Sequence, residues 1–276
     1  MKYEFKAVIF DLMEECEKLK EDLISCKVAV LEPLLGVSAK ETLQKAVLEA
    51  GLLPEECLLL TNREKHHLAG KELGMVVVGC VESHYTIPTT RTVLEEAEEV
   101  SPTYLNLCYC HERGLPAEIF STARTIVREL CLEDAEDMYT LLSDSEVACR
   151  IPELSSDKET EIQKIRAYTE QVYPFFEYGY WGIFLKNSGE LIGRAGFKEG
   201  SYPPEIGYII RRDVWGKGYA SEVVAGLVSY AKQELCAEQV VVQIEKDNPA
   251  SLHVAEKSGF VATQEDYGDK IQMHLR

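Results

Sequence analysis

Hydrophobic positions change period several times along the chain, and the changes predict its elements. Residues 6–10, 27–31, 58–60 and 75–79 are short apolar runs bounded by charged or turn-forming residues, the pattern of buried strands. Between them apolar positions fall at helical spacing. Residues 14–23 form a charged helix. Ser38 and Glu41 make a capping box that opens a helix with Leu43, Ala46, Val47 and Ala50 on one face and Gly51 at its end. Residues 65–73 form a further helix ending at Gly74. Strands alternating with helices predict a parallel sheet covered on both faces.

The rhythm breaks over residues 84–120. Residues 86–90 have turn chemistry, 93–100 an acidic helical pattern, and 104–113 an apolar-faced helix that Gly114-Leu115-Pro116 ends. A boundary near residues 116–122 divides the chain into a domain at 1–115 and a second at 121–276. In the second, residues 125–130 alternate as a strand, and 133–142 and 159–173 are helical. Residues 181–185 and 191–197 form a hairpin across Asn187-Ser188-Gly189. A strand at 206–210, a helix at 219–235, a strand at 239–245, a helix from Ser251 and a last strand at 270–275 follow. This order predicts an α+β domain with a mostly antiparallel sheet.

Candidate chemistry sits at the 206–210 strand. A charged turn leads from it to Gly216-Lys217-Gly218, and a helix begins at Tyr219. A glycine turn onto a helix N-terminus points unpaired N–H groups at one spot, where the helix dipole favours negative charge. The amides of Gly216, Lys217, Gly218, Tyr219, Ala220 and Ser221 could therefore take a bulky anion such as a diphosphate; the alternative is a plain strand-to-helix turn. Ile209, Ile210 and Arg211 end the strand beside them. A second motif follows, in which Asn248 caps a helix, Pro249 takes its first position and Gly259 ends it before Phe260.

With both motifs in this order, residues 121–276 resemble the GNAT acetyltransferase superfamily, in the branch of the ribosomal-protein N-terminal acetyltransferases. Trp215-Gly216-Lys217-Gly218-Tyr219-Ala220 has that branch's form of the acetyl-CoA loop, and Asn248, Ser251 and Gly259-Phe260 match its second motif. The resemblance implies acetyl-CoA held in a V between the fourth and fifth strands. Ile209, Ile210 and Arg211 would then bond the pantetheine amides and polarise the thioester carbonyl. Arg211, Arg212 or Lys217 could meet remaining phosphate charge, or belong to a solvated turn. Glu205 matches a glutamate that serves related enzymes as general base; the alternative is a strand-end carboxylate in solvent. Ala255 stands where many of these enzymes have a tyrosine acid; Ser251 is the replacement candidate, directly or through water, or else a first-turn helix residue satisfying local backbone. Asn248 could bind the pantetheine arm.

Residues 1–100 resemble a shortened, capless haloacid-dehalogenase-like (HAD) hydrolase core. The carrying residues are Val8-Ile9-Phe10-Asp11-Leu12, Pro54-Glu55-Glu56 and Ala69 to Met75. Of the family's machinery only the nucleophile Asp11 is present. Met13 replaces the second Asp, Glu32 the Ser or Thr, and Thr61-Asn62-Arg63 the late acidic pair. Mg²⁺ needs carboxylate oxygens and an aspartyl-phosphate needs an acid for its leaving group. The N-terminal Rossmannoid α/β domain therefore reads as a degenerate, catalytically dead HAD-like module, with no metal site.

Charge and cysteines narrow the function class. A net charge of −18 disfavours nucleic acid and anionic membrane; it suits cationic amines, or serves only to keep the chain soluble. No apolar stretch is long enough for a signal or a membrane span. Nine cysteines without a C-x-x-C pair read as reduced, mostly buried thiols of a cytoplasmic protein. His66, His67 and His253 lack partners at metal-ligand spacing and read as surface residues. The reading is an acetyl-CoA-dependent N-acetyltransferase acting on a small-molecule or peptide amine by direct attack in a ternary complex. Two alternatives stay open: a bifunctional protein with residual HAD phosphatase activity, and a non-catalytic acyl-CoA sensor. The sequence leaves acceptor identity and oligomeric state open.

Overall fold

Strand β1 (Ala7–Asp11) is buried at all five positions, and its alternation builds two cores at once. Val8 and Phe10 point to one face with Leu58 and Leu60. Ala7 and Ile9 point to the other with Leu59 and Val77. In the computed structural model the chain forms two compact units, Lys2–Leu115 and Pro116–Arg276. The structure describes residues 3–12, 15–34, 36–81, 92–149, 155, 157–263 and 267–275.

The N-terminal unit continues with α1 (Glu17–Ser25), β2 (Ala29–Leu31), α2 (Ala39–Glu49), β3 (Cys57–Thr61), α3 (Glu64–Glu72), β4 (Val76–Cys80), β5 (Val93–Leu94) and α4 (Pro102–Arg113). Its five strands are parallel in the order β2-β1-β3-β4-β5. Ser38 caps α2 by accepting the Glu41 N–H, and Gly114 ends α4 in the left-handed conformation. The acidic helix expected over 93–100 does not form. Val93 and Leu94 instead pair with Gly79 and Cys80 at the open edge of the sheet, and only a short 3₁₀ turn follows. Unpaired edge N–H and C=O groups outweigh a weak helical preference there. The turn expected at 86–90 lies outside the described residues, as do Met13 and the expected helix start at Glu14.

The C-terminal unit opens with a hairpin, β6 (Glu118–Ser121) and β7 (Thr125–Arg128), whose first strand the periodicity does not announce because a bulge interrupts it. Then come α5 (Ala135–Leu142), α6 (Ser145–Ala148), α7 (Lys158–Ala167), α8 (Tyr173–Phe176), β8 (Tyr180–Leu185), β9 (Leu191–Phe197) and β10 (Glu205–Ile210). The unit ends with α9 (Tyr219–Gln233), β11 (Val241–Glu245), α10 (Pro249–Lys257), β12 (Phe260–Ala262) and β13 (Lys270–Leu275). Its eight strands run in the order β12-β13-β11-β10-β9-β8-β7-β6, antiparallel except for β10 against β11. The helix expected over 159–173 is split by a π-helical turn, Tyr168–Val172, ahead of Pro174, which has no N–H for a regular ladder. Trp181 is fully buried, with Phe197 and Tyr230 rings 5.9 and 5.3 Å away. All nine cysteines are free. Among the described residues no helix is long and apolar enough to cross a membrane, and no cluster of His, Cys, Asp and Glu could hold a metal.

One ion pair ties β7 to α5. Arg128 grips Asp134 with both terminal nitrogens (2.7 and 2.8 Å), and the Cys131 N–H donates to the same carboxylate at 2.9 Å. Burial alone would raise the Asp134 pKa, but these bonds outweigh it and hold it below its ordinary value. The same burial pushes the Cys131 thiol up to about 11. A carboxyl lowered in the folded state contributes stability above its unfolded pKa, lost as pH falls through the folded value. Asp134→Asn is therefore expected to remove ~1.5–3 kcal/mol at about pH 7, and progressively less as pH falls below the ordinary carboxylate range through the lowered folded value. Thermal melts of both proteins across that window check this, since a difference independent of pH would exclude the charge as its source.

Candidate functional site

Two strands part to make the cleft. β10 and β11 pair only at Glu205 with Val241 and Ile206 with Val242. Beyond this, β11 stays with β13 out to Glu245 and Lys270, and one side of β10 is left open. The Glu205 carbonyl accepts from Lys198 N–H, and the Arg211 N–H donates to the Ile192 carbonyl, so odd-numbered residues turn toward β9. The Pro204 carbonyl accepts from Val241 N–H, so even-numbered residues turn toward β11. Tyr208 and Ile210 thus present their backbone groups to the opening, while Ile209 and Arg211 do not. This corrects the backbone contacts expected of Ile209 and Arg211; the Ile209 side chain does line the cleft.

The glycine turn closes one end. After a 3₁₀ turn (Arg212–Val214), the Trp215 indole N–H donates to the Ile210 carbonyl at 2.6 Å and pins the turn to the strand. Gly216 and Gly218 have φ of +73° and +84°, left-handed values that strain any residue with a Cβ. Gly218 is the N-cap of α9 and has no side chain to cap it. The N–H groups of Tyr219, Ala220 and Ser221 therefore make no hydrogen bond among the described residues. With Tyr208, Asn248 and Ser251 they surround a cleft of about 580 Å³.

The cations expected near the phosphates are placed otherwise. The Arg211 guanidinium is held by Asp213 (2.6 and 2.9 Å) and Glu190 (2.7 Å), and these bonds raise its pKa further. It is outside the cleft, and the phosphate contact expected of it is corrected: two carboxylates outcompete an open turn for it. Lys217 is exposed and does not line the cleft. Its carbonyl instead accepts from Arg124 Nη1 at 2.9 Å. Arg124 also donates to Glu222 through Nε (2.7 Å) and its backbone N–H (2.8 Å), and stacks 4.2 Å over the Tyr219 ring. Thr122 donates to Glu222 as well. Burial would raise the Glu222 pKa, but Thr122 and Arg124 hold it below the usual range. The sequence offered no signal for Arg124, which precedes Lys217 by 93 residues. Tyr208 could have been found, since it shares alternation with Ile206 and Ile210.

On the far wall, Asn248 Oδ1 accepts the Ser251 N–H at 3.1 Å, so its oxygen caps α10. The Tyr208 hydroxyl reaches the Ser251 carbonyl at 3.5 Å, the outer limit of a hydrogen bond. Burial keeps that phenol protonated by raising its pKa, with the Ser251 contact lowering it in part. Glu205 lies at the opposite end of β10 from the glycine turn. It is half-buried, does not line the cleft, and its carboxylate makes no ion pair or hydrogen bond among the described residues.

The N-terminal unit has a polar cluster of its own. Asp11 and Thr61 end β1 and β3, the neighbours between which the strand order reverses. Thr61 Oγ1 donates to Asp11 Oδ2 at 2.5 Å, and His66 Nδ1 lies 2.6 Å from the same oxygen. Arg63 Nη1 stands 3.1 Å from Oδ1, near enough to pair but poorly aligned for a hydrogen bond. His66 and His67 are thus not surface residues, and His67 is fully buried. A Cβ on Gly70 would come within 2.7 Å of Leu59, so the glycine lets α3 sit close on the sheet and carries both histidines inward.

A family model described as Acetyltransferase (GNAT) domain matches residues 124–261. The Uncharacterized N-acetyltransferase YoaA of Bacillus subtilis (strain 168) is 33% identical over 147 residues, 51% of this chain and 82% of that protein. The Uncharacterized N-acetyltransferase p20 of Bacillus licheniformis is 28% identical over 149 residues, 52% and 82% of the two chains. Among solved structures, the apo form of RimL, a ribosomal L7/L12 alpha-N-protein acetyltransferase, superposes with a TM-score of 0.50 at 16% identity, over 58% of this chain and 94% of that one. That structure shares the fold of the C-terminal unit. Matched over half its length and aligned with most of each of these relatives, the chain belongs to the GNAT family of N-acetyltransferases.

Proposed function

We propose that the C-terminal unit transfers an acetyl group from acetyl-CoA to the primary amine of a small molecule or peptide by direct attack in a ternary complex. One observation carries this reading: three unbonded amides at the N-terminus of α9, behind two left-handed glycines, open onto the cleft between β10 and β11. That donor set suits a diphosphate, and the open backbone groups of Tyr208 with the N–H of Ile210 suit an amide-bearing arm. Acetyl-CoA supplies the activated acyl group when bound. Gly216, Gly218, Tyr219, Ala220 and Ser221 would hold its diphosphate, and Asn248 would offer its NH₂ to the arm. An N–H on the open edge of β10 would polarise the thioester oxygen. Glu205, without an ion-pair partner among the described residues, would take a proton from the acceptor's ammonium, and the neutral amine so formed would attack the thioester carbon. Ser251, or Tyr208 beside it, would protonate the sulfur as the C–S bond breaks.

The N-terminal unit is proposed as a degenerate HAD-like module without hydrolytic activity. Supporting this, Asp11 is already engaged by Thr61, His66 and Arg63, leaving it poorly placed for a metal or a phosphorus atom. One preparation of the full chain tests both statements. Calorimetry with acetyl-CoA is expected to show binding, an amine panel is expected to release free thiol, and phosphate esters with Mg²⁺ are expected to release no phosphate. Binding without thiol release on any amine would favour a sensor, and Asp11-dependent phosphate release would overturn the module's assignment.

A further inference from the structure

β9 runs through the middle of the eight-stranded sheet, and six of its seven residues are buried. The seventh is Arg194. It is half-buried, and a guanidinium with five N–H donors in such a position usually finds an acceptor. The C-terminal unit follows that rule elsewhere: Arg128 has Asp134, Arg211 has Asp213 and Glu190, and Arg124 has Glu222. Arg194 forms no ion pair or hydrogen bond among the described residues. Its recorded contact is the Tyr180 ring, 5.4 Å from the guanidinium to the centroid.

Its surroundings place it beside the proposed chemistry. Cross-strand pairing sets Arg194 next to Ile209, whose side chain lines the cleft. Tyr180, Gly196 and Gly207 form the next row on the same face. A Cβ on Gly207 would lie 2.6 Å from the Tyr180 hydroxyl, so the glycine leaves room for that ring to reach across to β10. Two phenols fix this platform. The Tyr180 N–H donates to Tyr168 Oη and its carbonyl accepts from Tyr173 Oη, both at 2.7 Å. Two residues further along the same face of β10 stands Glu205. A carboxylate and a guanidinium, neither with an ion-pair partner among the described residues, thus share one face of the sheet with a rigid aromatic ring and a bare glycine between them.

We infer that Arg194 selects the acceptor by pairing with a carboxylate that the substrate carries, so the acceptor is an amine that also bears a carboxylate, of which an α-amino acid is the smallest. This rests on the acetyltransferase reading above and adds the substrate class to it. The Glu205 end would receive the ammonium and Arg194 the acid, an arrangement that fits a zwitterion and leaves a simple alkylamine one contact short.

The test compares each of a set of α-amino acids with its carboxamide as acceptor, with thiol release as readout, for the wild-type protein, Arg194→Gln and Arg194→Lys. Amino-acid amides are weaker bases than amino acids, so each kcat/KM is referred to the concentration of unprotonated amine. The wild type is expected to favour the carboxylate by ~10–100-fold in kcat/KM. Arg194→Gln is expected to bring that ratio close to one, chiefly through KM, and Arg194→Lys to retain part of it. Equal or better use of carboxamides by the wild type would overturn the inference, as would a loss in Arg194→Gln that is the same for both acceptors. Calorimetry with acetyl-CoA separates the two levels. Binding with no carboxylate preference overturns only the role of Arg194, whereas absence of binding to the wild type removes the reading beneath it as well.

Discussion

Replacing Gly218 with glutamate is expected to weaken acetyl-CoA binding by at least ~100-fold, a loss of about 2.8 kcal/mol. The fold should survive. A Cβ at this position meets only Arg124 Nη2, at 3.6 Å, so the substitution brings strain without collision. A left-handed φ of +84° costs an L-residue about 1–2 kcal/mol. Part of that is returned, because a carboxylate at the N-cap of α9 interacts favourably with the helix end and with Arg124. That favourable interaction is the reason binding should fail. The new carboxylate would take the amides of Tyr219, Ala220 and Ser221 for itself and repel a diphosphate. Gly218→Ala separates the two effects, since it carries the strain without the charge. Calorimetry with both variants, alongside their melting temperatures, decides the matter. Gly218→Glu binding within about threefold of wild type would mean that the turn is not where the coenzyme sits.

Glu205→Gln is expected to lower turnover by ~10²-fold or more near neutral pH, the usual contribution of a positioned general base. The loss should shrink as pH rises, because an alkaline solution delivers more of the acceptor already deprotonated. Binding of acetyl-CoA should hardly change, since Glu205 is not part of the cleft wall. A rate profile against pH for both proteins checks this. An equal loss at every pH would assign Glu205 to positioning and send the search for the base elsewhere. The carboxylate has two features that suit the role: it is half-buried, and it has no ion-pair partner among the described residues.

The placement of these groups explains what could be read from the amino-acid order and what could not. The glycine turn was legible because its physics is local. Gly216 and Gly218 need left-handed backbone, Tyr219 begins a helix, and the open N–H groups follow from helix geometry alone. Asn248 was legible for the same reason: a cap, a proline and a closing glycine all lie within one helix. For Arg211 the sequence left a phosphate contact and a charged turn both open; Asp213 lies two residues away, but nothing near it foretells Glu190, which comes from the loop before β9. Ile209 was expected to offer its backbone to the ligand, yet a strand has two edges, and which of them stays open depends on where β11 leaves. Residues 93–100 carry a helical pattern that lost to the unpaired edge of β4.

The chain by itself determined the elements whose causes lie within a few residues: buried strands, capped helices, the glycine turn and the parallel order of the N-terminal sheet. The tertiary structure decided what depends on meetings between distant segments. It set Arg124 against Glu222, turned Arg211 away from the cleft, drew His66 to Asp11, and left Arg194 and Glu205 without partners among the described residues. The physical reason is range. Backbone preference and capping act over one turn or one strand, whereas a charge takes whichever partner the folded chain brings within a few ångströms of it.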